Sequence, residues 1–302
     1  MTSEPIIPMN YIDTHTHIYG EEFDDDRTEV VERALKAGAQ HLLLPNIDEA
    51  SIQPMLALCE AYPNLCRPMM GLHPTELPAD PWPLLNKMEG LLTAPNAPYI
   101  AVGEVGIDLY WDDSRRDEQI CVFKHQAEWA LRFGLPLMVH SRAAHRELVD
   151  TLLPFKDDIT GVFHCFGGSD EEAHELLQTF PGFVLGIGGV VTFKKSKLPA
   201  VLRANVPLER IVVETDAPYL TPTPYRGTRN EPSYVPLVIA KLAEVYERPI
   251  EEVEEILLQN THRIFSLKKE IGIAKVICKP LVLVSKTAQK SCLSKLGEMA
   301  HV

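Results

Sequence analysis

The chain has 302 residues, of which 45% are hydrophobic and 24% charged, and its net charge is −13. This length and apolar content suit a full globular core and exclude disordered, collagen-like and membrane-spanning classes, since no run approaches the roughly 18 apolar residues of a membrane helix. The acidic balance also excludes a protein that coats nucleic acid through bulk positive charge, although metal ions and a few local cations would still let such a chain process nucleic acid.

Short apolar runs alternate with longer amphipathic stretches along the chain, which predicts βα units and a parallel sheet. Strands are expected at Tyr11–His15, Gln40–Leu44, Arg67–Leu72, Tyr99–Gly103, Leu135–Val139, Gly161–Phe163, Gly182–Ile187 and Arg210–Thr215. Helices are expected between them at Asp24–Ala37, Ser51–Ala61, Pro81–Leu92, Arg116–Arg132, Ala144–Leu153, Glu171–Thr179 and Pro199–Ala204. Eight strands with intervening helices fit an α/β fold of the TIM type, a (β/α)8 barrel, better than an open sheet. Two closing helices follow at Val235–Tyr246 and Ile250–Ser266, the last one opened by Pro249 and the acids Glu251 and Glu252. Residues 1–268 are therefore read as one catalytic barrel domain and residues 269–302 as a lysine-bearing tail of uncertain order.

The six cysteines are scattered and form no CxxC pair, which predicts reduced thiols. Met1–Asn10 lacks the basic and apolar regions of a secretory signal. The expected location is cytoplasmic or nuclear rather than secreted.

In barrels of this kind, chemistry gathers at the C-terminal ends of the strands. His15 and His17 follow the first expected strand, His73 the third, Glu104 the fourth, His140 the fifth, His164 the sixth and Asp216 the eighth. Residues two apart at a strand end share a face, so His15 and His17 can reach one cation. The HxH pair alone is weak; four more ligand-type residues at other strand ends make it strong. Imidazoles and carboxylates suit Zn, Mn, Ni or Fe, and less obviously Mg. Four histidines and two acids suffice for two divalent cations: His15, His17 and Asp216 on one, His140 and His164 on the other. Glu104 would bridge them, because two dications about 4 Å apart need an anion between them. Glu104 lies in the apolar, glycine-rich run Ala101–Ile107, where a carboxylate needs a partner.

The motifs Asp13-Thr-His-Thr-His17, Gly71-Leu-His-Pro74, Val102-Gly-Glu-Val-Gly-Ile-Asp108, His140-Ser-Arg142, His164-Cys-Phe-Gly167, Glu214-Thr-Asp-Ala-Pro218 and Arg226-Gly-Thr-Arg-Asn-Glu-Pro232 occur in this order. From about Tyr11 to Phe265 the chain resembles the TatD-type deoxyribonucleases, within the amidohydrolase-like metal-dependent hydrolases. The resemblance implies a metal-dependent nuclease on a TIM-type barrel, with His15, His17, Glu104, His140, His164 and Asp216 as metal ligands. The tail lies outside the family pattern.

Catalysis is expected to rest on Asp216, which would orient the attacking water and take its proton, and on Glu104. Arginine grips phosphate through paired hydrogen bonds, which marks Arg142, Arg226 and Arg229 as substrate-binding candidates. His73 is either a substrate contact or a support for the ligands, and Glu214, one pleat deeper than Asp216, is expected to support them too. Tyr110 and Trp111 could stack a base or simply pack their loop. The expected substrate is DNA, as a single strand or at an end, cleaved with exonuclease character. The alternative keeps the metal site and hydrolyses small esters, lactones, amides or phosphoesters. A third reading, a barrel retained only for interaction, predicts degraded ligands, and none is degraded.

Overall fold

The structure is a computed structural model, and it describes residues 7–267. The eight strands are β1 (Tyr11–Asp13), β2 (Ala39–Leu44), β3 (Cys66–Pro68), β4 (Val102–Asp108), β5 (Leu137–Arg142), β6 (Gly161–Phe163), β7 (Phe183–Ile187) and β8 (Ile211–Val213). The helices between them are α1 (Arg27–Ala37), α2 (Ile52–Ala61), α3 (Trp82–Leu92), α4 (Arg116–Phe133), α5 (His145–Leu152), α6 (Asp170–Thr179) and α7 (Leu198–Asn205), followed by α8 (Val235–Tyr246) and α9 (Ile250–Phe265). The tail expected over 269–302 lies outside the described residues.

The strands are all parallel, in the orders β1-β2-β3 and β4-β5-β6-β7-β8. Backbone hydrogen bonds join these two groups at both seams. Beyond β3, Gly103 N–H donates to the Met70 carbonyl at 3.0 Å and Met70 N–H to the Ala101 carbonyl at 3.2 Å. Beyond β1, Thr14 N–H donates to the Val213 carbonyl at 3.1 Å and Asp216 N–H to the His15 carbonyl at 2.9 Å. The circuit of eight strands is thus complete, as a barrel requires.

Side-chain alternation confirms which way each strand faces. Leu42 and Leu44 belong to the large core between strands and helices, while the equally buried Leu43 does not. The same holds for Ile12, Met69, Ala101, Met138, Val162, Val184 and Val212, one from each strand or its extension. Period-two alternation puts these eight inside the barrel, where they fill its axis. One pleat further along the chain from Val162 is His164, from Met138 is His140, and from Val212 is Glu214 and then Asp216. The inward face of the barrel therefore runs directly into the polar residues at its C-terminal mouth.

Two strands depart from the sequence expectation in a way that matters for the site. β4 was expected at Tyr99–Gly103 but spans Val102–Asp108, every residue of it buried. β5 was expected to end at Val139 but continues to Arg142, with Gly106 opposite His140 and Asp108 opposite Arg142. Glycines weaken a strand pattern, which is why the run looked like a loop. Gly106 is there because the chains nearly touch: its φ is +151°, and a Cβ would lie 1.9 Å from the His140 carbonyl oxygen. Glu104, His140 and Asp108 are consequently held within paired strands. The register between β4 and β5 shifts between Val102 and Val105, at Glu104's position.

α9 closes the barrel near β8, where the buried Asn260 amide donates to the Leu208 and Ile211 carbonyls at 2.8 and 2.7 Å. No helix among the described residues is long and apolar enough to cross a membrane. Cys59, Cys66 and Cys165 are free thiols.

Candidate metal centre

Glu104 lies at the middle of the mouth, and its two carboxylate oxygens face different partners. Oε2 is 3.2 Å from His15 Nε2 and 3.6 Å from His17 Nε2. Oε1 is 2.9 Å from His164 Nε2, 3.1 Å from His140 Nδ1 and 3.4 Å from His73 Nε2. Asp216 Oδ1 completes the first side, 3.7 Å from both His15 Nε2 and His17 Nε2. Glu104 is fixed from β2 as well, through its N–H to the Asn46 carbonyl at 2.9 Å. Asp216 has φ +54°, a left-handed conformation that aspartate tolerates better than most residues, at the turn out of β8.

The cluster divides into groups whose donor atoms lie within 4.8 Å of one another: His15, His17 and Asp216; His15, Glu104 and His164; and His73, Glu104 and His140. Such groups can hold metal ions, and the hydrogen bonds behind the imidazoles test whether they suit one. A ligating imidazole must offer a lone pair, so its other nitrogen should carry the hydrogen and donate it outward. Tyr19 donates its hydroxyl hydrogen to the Pro45 carbonyl at 2.5 Å, so at 2.8 Å it can only accept from His17 Nδ1. His17 Nε2 is left with its lone pair facing the cluster. His140 Nε2 is 2.9 Å from Asp108 Oδ2, which leaves Nδ1 facing Glu104. His164 Nδ1 faces Glu214 Oε1 at 3.4 Å, leaving Nε2 toward Glu104. His15 Nε2 approaches His17 Nε2 to 3.0 Å, a crowding of two basic nitrogens that a cation between them would satisfy. The donor set therefore fits metal ions.

His73 has the opposite arrangement. Its Nδ1 accepts from the Thr75 N–H at 3.3 Å, so its Nε2 carries the hydrogen. It presents a donor to the mouth, not a lone pair.

Burial, reinforced by neighbouring imidazoles, pulls His15 down to about 4 and His17 to about 3. Burial would also depress His140 and His164, but Asp108 and Glu104 outweigh it at the first, and Glu104 and Glu214 at the second, so both are raised. Burial would raise Glu104, but His15, His164 and His73 hold it well below the carboxylate range. Asp216 is pushed up to about 7, first by burial and then by Glu104 and Glu214.

Supporting contacts surround the cluster. Glu214 is fully buried behind His164, and its Oε1 accepts from the Cys165 N–H at 2.5 Å. Gly186 makes room for it, because a Cβ there would lie 2.3 Å from Glu214 Oε2. Two glutamines seven residues apart on α4 clamp the adjoining backbone. Gln119 exchanges hydrogen bonds of 2.8 and 3.0 Å with the peptide groups of Asp108, and Gln126 bonds of 2.8 and 3.1 Å with those of Leu72.

The arginines separate. Arg142 is exposed at the end of β5 and stacks on Tyr110. Arg226, also exposed, stacks on Phe193 at 3.7 Å. Arg229 is held by the N-terminal loop: its guanidinium pairs with Asp26 at 2.7 Å and donates to the Glu22 carbonyl, over the Phe23 ring. The expected substrate role of Arg229 is not supported by this geometry, which gives it to the packing of the N-terminal loop. Sequence reasoning missed Asp108 and Tyr19 as supports. Asp108 carries the same signal as Glu104, an acid closing an apolar run, but lies beyond the expected end of the fourth strand at Gly103.

The profile described as TatD related DNase matches residues 12–266. The chain belongs to the TatD family. A metal-dependent hydrolase of Bacillus subtilis, YabD, is 35% identical over 260 residues, covering 84% of this chain and 98% of that protein. A TatD protein of Pectobacterium parmentieri, named as a 3'-5' ssDNA/RNA exonuclease, is 31% identical over 263 residues, covering 84% and 99%. The crystal structure of the Escherichia coli TatD homologue YjjV superposes with a TM-score of 0.79 at 33% identity, covering 85% of this chain and 98% of that one. This TatD-family chain is accordingly a metal-dependent hydrolase on an α/β barrel.

Proposed function

We propose that residues 1–268 form one catalytic unit that hydrolyses phosphodiester bonds at the ends of single-stranded DNA, using two divalent cations per chain. The observation that carries this reading is the Glu104 carboxylate, one oxygen toward His15 and His17 and the other toward His140 and His164. His15, His17 and Asp216 would hold one ion, His140 and His164 the other, with Glu104 shared. Bound there, zinc, manganese or magnesium would lower the pKa of a water near the phosphorus and neutralise charge growing on the phosphoryl oxygens.

The chain's own residues do the rest. Asp216 Oδ1, on the same side of the cluster as His15 and His17, takes the proton of the attacking water. Glu104, with one carboxylate oxygen toward each group of imidazoles, keeps the two halves of the site at a fixed separation. His73 Nε2–H donates to a non-bridging phosphate oxygen, and Arg142 and Arg226 at the rim take neighbouring phosphates. Glu214, Asp108 and Tyr19 keep the histidine rings oriented. The names of exonuclease relatives support single-strand substrates and attack from the 3′ end.

Purified protein supplied with manganese or magnesium should shorten single-stranded DNA from an end. The double variant His15→Ala plus Asp216→Asn should abolish this, and retained activity would overturn the assignment.

A further inference from the structure

The loop beyond Glu104 carries two exposed aromatics side by side. Tyr110 is 57% exposed and Trp111 73%. Their rings meet edge to face at 4.9 Å. The Arg142 guanidinium lies 3.9 Å from the centroid of Tyr110 and 5.2 Å from that of Trp111. One exposed aromatic needs no explanation, but here the arginine packs over Tyr110 while Trp111, edge to face beside it, keeps an exposed ring for stacking.

Three observations tie this surface to the metal centre. Arg142 lies two residues beyond His140 on β5, hence on the same face of the strand. Asp108 reaches both: Oδ2 is 2.9 Å from His140 Nε2, and Oδ1 accepts from the Tyr110 N–H at 3.0 Å. The loop is also anchored to β5, through the Leu109 N–H to the Arg142 carbonyl at 2.9 Å. The rings therefore start from a fixed base beside the cluster.

Arg142 also differs from neighbouring arginines. Arg116 pairs with Glu147, Arg33 with Glu231 and Arg229 with Asp26. Among the described residues no carboxylate forms an ion pair with Arg142, so its N–H fork is free for an anion while its flat face covers the rings. The exposed Trp111 ring beside a guanidinium that no carboxylate pairs with matches a nucleotide: base on ring, phosphate on arginine. A small ester or lactone would use neither.

We propose that Tyr110, Trp111 and Arg142 form a subsite that stacks a nucleobase of the substrate strand beside the scissile phosphodiester. This rests on the nuclease reading and deepens it. Stacking is tolerant of base identity, because every base has a π face, so the subsite selects unpaired strands without selecting sequence. A base held in a duplex would have to unstack first.

The test uses the full chain with manganese and two oligodeoxynucleotides of equal length, one with bases throughout and one with tetrahydrofuran abasic residues over its 3′-terminal positions. The readout is the ratio of kcat/KM on the first to kcat/KM on the second. The Trp111→Ala ratio should fall by about tenfold to a hundredfold relative to wild type, as expected for the loss of one base stack. Trp111→Phe should recover most of it. Trp111 is mostly exposed, so circular dichroism should show both variants folded. If wild type cleaves both strands and Trp111→Ala keeps the wild-type ratio, the subsite is overturned and the nuclease reading stands. If wild type cleaves neither strand, the nuclease reading itself falls and takes the subsite with it.

Discussion

Tyr19→Phe isolates the argument that the imidazoles are arranged to present lone pairs. The variant removes one buried oxygen and nothing else. In the native chain that hydroxyl donates to the Pro45 carbonyl at 2.5 Å and faces His17 Nδ1 at 2.8 Å. Its loss leaves a carbonyl and an imidazole N–H without partners in a buried place, at about 1–3 kcal/mol each, so global stability should drop by about 2–6 kcal/mol. The larger interest is the metal. His17 would no longer be fixed in orientation or tautomer, and removing such a support typically costs about 10–100-fold in metal affinity or activity. That is about 1.4–2.7 kcal/mol. The loss should fall on the ion proposed for His15, His17 and Asp216 and spare the one proposed for His140 and His164. Competition titration of the metal-stripped protein with zinc against a chromogenic chelator resolves the two. Two unchanged affinities in a folded Tyr19→Phe protein would refute the reasoning, because His17 would then need no outward hydrogen bond.

Gln126→Leu should lower stability by about 2–6 kcal/mol, because the N–H and carbonyl of Leu72 would both lose their buried partner; the urea midpoint at constant m checks this, and a loss under 1 kcal/mol contradicts it. In the metal-stripped protein the two pairs of imidazoles should contribute to stability with opposite pH dependence about pH 6.5. His140 and His164 are raised in the fold, so their contribution is complete below about 6.5 and disappears as pH rises through their folded values. His15 and His17 are lowered to about 4 and 3, so theirs is complete above about 6.5 and is lost as pH falls toward those values. The difference in melting temperature between wild type and variant, followed against pH in chelator, should shrink as pH rises above 6.5 for His164→Asn and as pH falls below 6.5 for His15→Asn.

How far the sequence led depended on the kind of signal. β6 and α8 have the expected boundaries, because a short apolar run and a Pro-flanked amphipathic segment leave little choice. The six ligand candidates were legible because each is a histidine or acid just beyond or within an apolar strand, where solvation alone cannot explain it. β4 was misplaced because glycine means poor strand propensity to a local reading, while in the barrel Gly106 is what lets β5 approach. The supports were the least legible. Nothing near Tyr19 says that its hydroxyl will lie between Pro45 and His17, and nothing near Gln126 says that it will clamp Leu72, 54 positions away. The commitment of Arg229 to Asp26 likewise depends on the barrel bringing the last loop back to the first.

The central claim is that Glu104 serves two metal ions at once. Metal content of the full chain, purified without chelators and measured by mass spectrometry alongside protein concentration, tests it most directly. The account predicts two divalent cations per chain, falling to one or none in Glu104→Gln. A single ion per chain, retained at full affinity in Glu104→Gln, would contradict it.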